Sequence, residues 1–329
     1  MIENDATPQV SFPACDIAGL LVAGMTPREV RAVTTSGVSS LVEYSRLSAE
    51  ELTELGLKHV VAVPFAHDEI WVAKAGEPGY PRELSAISAP PLVLFGRGDR
   101  DAVRSGVAVI GTREMSRIGE NVAKAAVAGA ALAGVPVISG LAKGCDTAGH
   151  RAALDAGAIT VAVVAGGVDV VYPAENAELL GEILANGGAV VSEQPPGVEV
   201  AAHRLQARNR ILTGLSYVVV PCEAGRRSRG TLGAVGTALE AGRMLVVGRV
   251  KPTWRHFDGA WMAERLALGN HIDAKAFGWS QTAAERAAKC QGAIANGVGD
   301  DRESIIELVQ FGVMWARTEP ATASQPGSD

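Results

Sequence analysis

The stretch Val107-Ala-Val-Ile-Gly-Thr-Arg113 decides the reading of this chain. A short valine-rich run ends in a glycine, a hydroxyl and a cation, and the pattern returns at Pro136–Ser139, followed by Ser139-Gly-Leu-Ala-Lys-Gly-Cys-Asp146. Each is a strand running into a helix through a glycine turn. Outward from these, further runs stand at Thr160–Ala165, Ala189–Ser192, Tyr217–Pro221 and Met244–Gly248, with helical segments between them. The runs are too apolar for half-exposed strands, so helices must cover both faces. That predicts an α/β protein with a doubly wound, mostly parallel sheet. Ligands on such sheets lie at the carboxyl ends of the strands, where all these glycine turns fall.

Flanking zones differ in pattern. Before the sheet, Asp16-Ile-Ala-Gly-Leu-Leu, Thr26-Pro-Arg-Glu-Val and Ser48-Ala-Glu-Glu-Leu read as short helices, the second with a hydroxyl cap and proline in its first turn, the third with a capping-box acid. The prolines of Gly79–Asp99 forbid a continuous helix and suggest an extended lead-in. After Lys251, Glu264–Leu268, Thr282–Ala295 and Arg302–Trp315 look helical, and the residues from Thr318 on have the composition of a mobile tail. The expected division is therefore 1–78 as a helical module, 79–250 as the sheet domain and 251–329 as a helical C-terminal region.

At 329 residues the chain can bury a sizeable core, and its net charge of −6 excludes a globally basic nucleic-acid binder while leaving room for a local basic cleft. Cys15, Cys145, Cys222 and Cys290 form no CxxC pair and no metal-ligand spacing, so they read as reduced thiols with no metal site. The N-terminus lacks a basic leader and no apolar run approaches the ~20 residues that span a bilayer, which leads to the expectation of a soluble, cytoplasmic protein with no membrane association.

The two turns place Gly111, Thr112 and Arg113, then Ser139, Gly140, Lys143 and Gly144, at the ligand edge. Glycine lets backbone approach an anion, a following helix aims unpaired N–H groups at it, and the arginine and lysine supply charge. Asp146 is expected to cap the helix it opens, His150 to brace that turn, and Asp169 to hydrogen-bond its own loop. Farther along, Arg208-Asn-Arg210 and the basic loop holding Arg226, Arg227 and Arg229 concentrate cations at one edge of an acidic protein, which favours a phosphate-rich ligand. An alternative makes Arg208 and Arg210 structural, buried against carboxylates such as Glu193.

The ordered blocks Ile110-Gly-Thr-Arg, Ser139-Gly-Leu-Ala-Lys-Gly-Cys-Asp with His150, Gly167-Val-Asp-Val-Val-Tyr-Pro with Glu175-Asn176, Ser192-Glu-Gln-Pro-Pro-Gly, Arg208-Asn-Arg-Ile-Leu-Thr-Gly-Leu-Ser and Glu223-Ala resemble the DNA-processing protein A (DprA/Smf) family. The resemblance runs from about residue 80 to 248, and the N-terminal helices are similar to that family's SAM or helix-hairpin-like module. It implies an extended Rossmann-like sheet that binds single-stranded DNA, forms a homodimer and loads a RecA-type recombinase in recombination or transformation, without cofactor or catalytic residue. Carried over residue by residue, it makes Arg113, Lys143, Arg208 and Arg210 phosphate contacts, with Asn209 and Arg227 beside them. The chain departs from the family pattern at Leu205-Gln206, at Arg227-Ser-Arg-Gly-Thr and at Val247-Gly-Arg, and shows no basic recognition helix of winged-helix type among Thr282–Trp315.

Rival readings fare worse. A nucleoside-monophosphate phosphoribohydrolase of the related Rossmann group would match Gly230-Thr231-Leu232, yet Ala234 stands where its glutamate would lie. Glu193 or Glu223 would have to act as base without a visible partner. An NAD enzyme needs G-x-G-x-x-G after the first strand, and Gly-Thr-Arg stands there. Cys145 reads as a small buried filler and not a nucleophile.

Overall fold

The computed structural model describes residues 12–224, 228–247 and 302–318. It opens on the helices α1 (Ala14–Val22), α2 (Pro27–Thr35), α3 (Leu41–Tyr44) and α4 (Ala49–Glu54). Two of them begin with complete capping boxes. Thr26 accepts from the Glu29 amide while the Glu29 carboxylate accepts from the Thr26 amide at 2.6 Å, and Ser48 and Glu51 repeat the arrangement at 2.7 Å. Each cap contributes about 1 kcal/mol, which matters for helices too short to persist alone.

The sheet has eight strands: β1 (Trp71–Ala73), β2 (Leu94–Gly98), β3 (Gly106–Gly111), β4 (Val137–Ser139), β5 (Thr160–Val163), β6 (Ala189–Ser192), β7 (Ser216–Glu223) and β8 (Met244–Leu245). Their order is β1-β2-β6-β5-β4-β3-β7-β8, with β2 antiparallel to both of its neighbours, β1 and β6, at one edge and the remaining pairs parallel. The sheet thus begins at Trp71, inside the stretch assigned to the helical module, because Trp71, Val72 and Ala73 pair with Gly96, Phe95 and Leu94. Three residues with no strong alternation gave no strand signal.

The helices of the sheet domain are α5 (Arg82–Ser85), α6 (Arg117–Leu132), α7 (Cys145–Asp155), α8 (Ala177–Ala185), α9 (Ala202–Gly214), α10 (Arg229–Glu240) and α11 (Arg302–Thr318). Side-chain alternation in β3 assigns the two faces. Val107 and Val109 pack with α6, α7 and α11, while Ala108 and Ile110 pack with Ile211 and Leu212 of α9 and Val235 and Leu239 of α10. Every residue of β4, β5 and β6 is buried, as the apolar runs require. Phe95, Leu179 and Val190 share a core with Leu20, Leu41 and Tyr44, so the helical module is welded to the sheet and is not a tethered bead.

The C-terminal helix is equally integral. A Cβ on Gly129 of α6 would fall 2.8 Å from that of Val309, and one on Gly312 would fall 2.6 Å from Val218. Glycine at these positions lets α11 lie directly on α6 and the sheet. The expected helices at Glu264–Leu268 and Thr282–Ala295, and the tail beyond Thr318, lie outside the described residues. No helix among the described residues is long and apolar enough to cross a membrane.

Candidate phosphate-binding cleft

β3 lies between β4 on one side and β7 on the other, so the chain winds away in opposite directions from its carboxyl end. This is the switch point at which open α/β sheets form a crevice. A cavity of about 390 Å³ opens here, lined by Thr112, Arg113, Asp146, Arg208, Asn209 and Thr231 among others.

Arg208 forms its floor. Its side chain comes from α9, is only 7% exposed, and donates from one terminal nitrogen to the Val163 carbonyl at the end of β5, while its Nε has no partner among the described residues. Burial pulls the guanidinium below its ordinary pKa; Asp146 opposes that shift and Arg113 adds to it. Asp146 sits beside it, and a Cβ on Gly140 would meet the ends of both side chains, so glycine leaves them room. Burial raises the Asp146 carboxyl above the usual range against the pull of Arg208. Arg113 stands on the rim, exposed, with no hydrogen bond or ion pair among the described residues.

The opposite wall is the start of α10. Neither Gly230 nor Thr231 donates its amide to another group among the described residues, and Ser228 makes no side-chain cap bond. With Arg113 and Arg208 lining the same cavity, this helix start is a candidate anion site. Asn209 donates to the Gly230 carbonyl at 3.2 Å and fastens α9 to that turn. The signal for this wall was Gly230-Thr231 after β7, a repeat of the glycine–threonine turn after β3.

The two turns themselves behave differently from expectation. In the first, the Thr112 amide donates to the Glu223 carbonyl, the Glu114 amide to Thr112 Oγ1, the Ser116 amide to the Glu223 carboxylate and the Ile118 amide to Ser116 Oγ. In the second, the Ala142 amide donates to Asp146, the Cys145 amide to the Thr112 carbonyl and the Thr147 amide to the Ala142 carbonyl. These amides are spent on the protein. Gly111 and Gly144 serve instead to press the turns together: a Cβ on the first would strike Cys145 and one on the second the Thr112 carbonyl.

Several expected site residues are therefore placed elsewhere. Ser139 is fully buried and donates to the Val109 carbonyl at 2.6 Å, so it joins β4 to β3 and does not meet a ligand. Asp146 is not the cap of α7, a place taken by Gly144 at φ +74°, but turns back to accept from the loop. His150 is turned away from the turn it was expected to brace. Its Nδ1 bonds Thr160 Oγ1 at 2.7 Å at the start of β5, and burial pushes its pKa down to about 3. Lys143 is exposed and paired with Glu175 at 2.5 Å. Arg210 faces a separate depression, where it makes a two-pronged pair with Glu193 at 2.8 and 2.6 Å and donates to the Ala89 carbonyl. Asp169 braces not its own loop but the next one, beyond β6, both carboxylate oxygens accepting from the Gly197 amide at 2.9 Å. Arg226 and Arg227 lie outside the described residues.

Asn176, quoted above only as part of a block, carries the second turn. It donates to the Leu141 carbonyl at 2.8 Å and to Thr147 at 3.0 Å, holding Leu141 at φ +59°, a conformation non-glycine residues rarely adopt. Cys145 is buried with its thiol pushed up to about 12 by desolvation, which leaves no thiolate for chemistry. Ala234 lines the cavity where the phosphoribohydrolase reading required an acid.

A doubly wound sheet with a cavity lined by arginines at its switch point defines a Rossmann-like protein with a candidate anion cleft. The DNA recombination-mediator protein A family matches residues 71–267, and the chain belongs to that family. Protein Smf of Escherichia coli is 39% identical over 165 residues, covering 50% of this chain and 44% of that protein. DNA processing protein DprA of Streptococcus pneumoniae is 41% identical over 165 residues, 50% of this chain and 57% of that one. The matched stretch thus spans about half of each of these relatives. Among solved structures, the S. pneumoniae DprA covers 77% of this chain and 88% of its own at a TM-score of 0.55 and 29% identity. The Helicobacter pylori protein, studied for its single-stranded DNA binding mode, covers 62% and 89% at 0.54 and 25% identity.

Proposed function

We propose that the chain binds single-stranded DNA through its phosphates at the switch-point cleft and acts as a recombination mediator with no chemical step of its own. The carrying observation is the cavity in which Arg113, Arg208 and the open start of α10 face one another on a protein of net charge −6. Only cations concentrated in one place overcome that overall charge. Among the described residues no aromatic side chain lines the cavity, which points to backbone contacts and little sequence preference. Support for the strand type comes from the H. pylori relative and for recombination mediation from the family's description; delivery to a RecA-type recombinase by a homodimer belongs to the same proposal.

A gel-shift comparison of single-stranded and duplex oligonucleotides at several salt concentrations tests the reading. Binding is expected to favour single strands, to tolerate any base and to weaken with salt. Tighter duplex binding overturns it, and so does release of free base from nucleoside monophosphates by the purified protein.

A further inference from the structure

In dinucleotide-binding sheets the pyrophosphate sits on the N-terminus of the helix that follows the first strand, held by its free amides. The corresponding place here is the junction of β3 and α6, a helix of 16 residues. That place is filled by the protein itself. The Glu223 carboxylate, from the end of the neighbouring strand β7, accepts from the Ser116 amide at 2.8 Å, and the Glu223 carbonyl accepts from the Thr112 amide at 2.8 Å. The helix makes room for it: a Cβ on Gly119 would lie 2.5 Å from the carboxylate oxygen and 3.0 Å from the Glu223 Cβ.

We propose that Glu223 is an internal substitute for a ligand phosphate, a specificity-determining residue that closes the first turn to pyrophosphate-bearing ligands and confines phosphate to the α10 side of the cleft. A fixed carboxylate at a helix N-terminus satisfies the dipole and the amide that would otherwise draw an anion, and repels a second negative charge. The remaining anion-seeking groups, Arg113, Arg208 and the Gly230–Thr231 amides, then surround one cavity. Such a site suits the singly spaced phosphates of a nucleic-acid strand and rejects the adjacent pair of a dinucleotide or nucleoside diphosphate. The inference rests on the reading of the cleft as a phosphate site.

The test is calorimetric titration of the full chain with inorganic pyrophosphate, run beside fluorescence titration with an oligothymidine. Glu223→Gln keeps the size and an accepting oxygen for the Ser116 amide while removing the charge. It is expected to bind pyrophosphate at least about tenfold more tightly than the wild type, with oligothymidine affinity equal or higher. Gly119→Ala, which leaves Glu223 in the chain and crowds its carboxylate off the helix end, is expected to shift pyrophosphate affinity in the same direction by less. Melting curves identify which variants are folded. The proposal is overturned if the folded variants gain no pyrophosphate affinity, or if the wild type already binds pyrophosphate as tightly as Glu223→Gln does. Failure of the wild type to bind oligothymidine overturns the proposed function instead, and is read from a different titration.

Discussion

Two arginines on one helix, separated by a single asparagine, end in opposite circumstances. Arg208 lies under the switch-point cavity with its Nε unpartnered, beside a carboxyl that burial holds above its ordinary pKa. Arg210 is locked into a depression near Ala89 and Pro90, both outer nitrogens matched to both oxygens of Glu193. Positions two apart on a helix point about 200° from each other, so one faces the cleft and the other the loop before β2. The contrast teaches that a basic block does not act as a block: charge left without a full partner is available to a ligand, and charge matched in both prongs is a strut.

The largest expected effects sharpen that contrast. Arg208→Ala strands Asp146 in a buried place and leaves the Val163 carbonyl unserved, so both stability and DNA binding are expected to fall, the former by about 3–5 kcal/mol in denaturant titration. Arg208→Lys keeps the charge without the planar fork, and is expected to retain the fold while oligothymidine affinity drops about tenfold. Unchanged affinity in that variant would break the assignment of Arg208 to the cleft.

The next concerns acid, to which the α7 side of the cleft is expected to be sensitive through His150. Its pKa in the folded chain is about 3, against about 6.5 in an unfolded chain. Between those values the unfolded form holds the extra proton, so this contribution is complete above about pH 6.5 and is lost as pH falls toward 3, by up to about 1.4 kcal/mol per pH unit. Asp146, shifted upward, acts with the opposite sign. Comparing wild type with His150→Gln isolates the histidine: the variant is expected to show a flatter decline in melting temperature from pH 7 to 4, and equal slopes would refute it.

Arg210→Ala leaves a mostly buried Glu193 without its partner. A loss of about 1–3 kcal/mol in stability with DNA affinity unchanged is expected, and a fall in affinity without destabilisation would place Arg210 in the interface after all. Arg113→Ala is expected to do the reverse, lowering the salt slope of binding by about 0.7 with the melting temperature untouched. The smallest effect belongs to Lys143→Ala, which is expected to leave the melting temperature nearly unchanged because its pair with Glu175 is solvent-exposed on both sides. A salt-slope change as large as that of Arg113→Ala would show that Lys143 leaves Glu175 for the strand.

What was legible in the sequence follows physical periodicity. The runs from Val107–Ile110 to Met244–Gly248 found six strands of the sheet, because strands covered on both faces must be apolar throughout. The starts of α2 and α4 were legible because a hydroxyl followed three residues later by glutamate satisfies amides locally, within reach of the sequence alone. The short antiparallel edge of β1 and β2 was not, since Trp71–Ala73 draws its identity from a partner more than twenty residues away. Residue types and the glycine turns likewise pointed to the edge of the sheet at which the cavity opens.

Which of those residues are left open to a ligand is decided by packing. Ser139, Arg210 and several amides of both glycine turns carry the chemistry of a phosphate site, yet each is consumed by a partner within the protein, some of them local, as Asp146 is for Ala142, and some distant, as Val109, Glu193 and Glu223 are. Sequence determines what a group is able to bind, because donors, acceptors and charge are local properties of the residue. Tertiary structure decides whether it is free to do so, because a buried polar group takes the nearest partner the fold provides, and among the described residues Arg113, the Arg208 Nε and the start of α10 are left unmatched at the switch point.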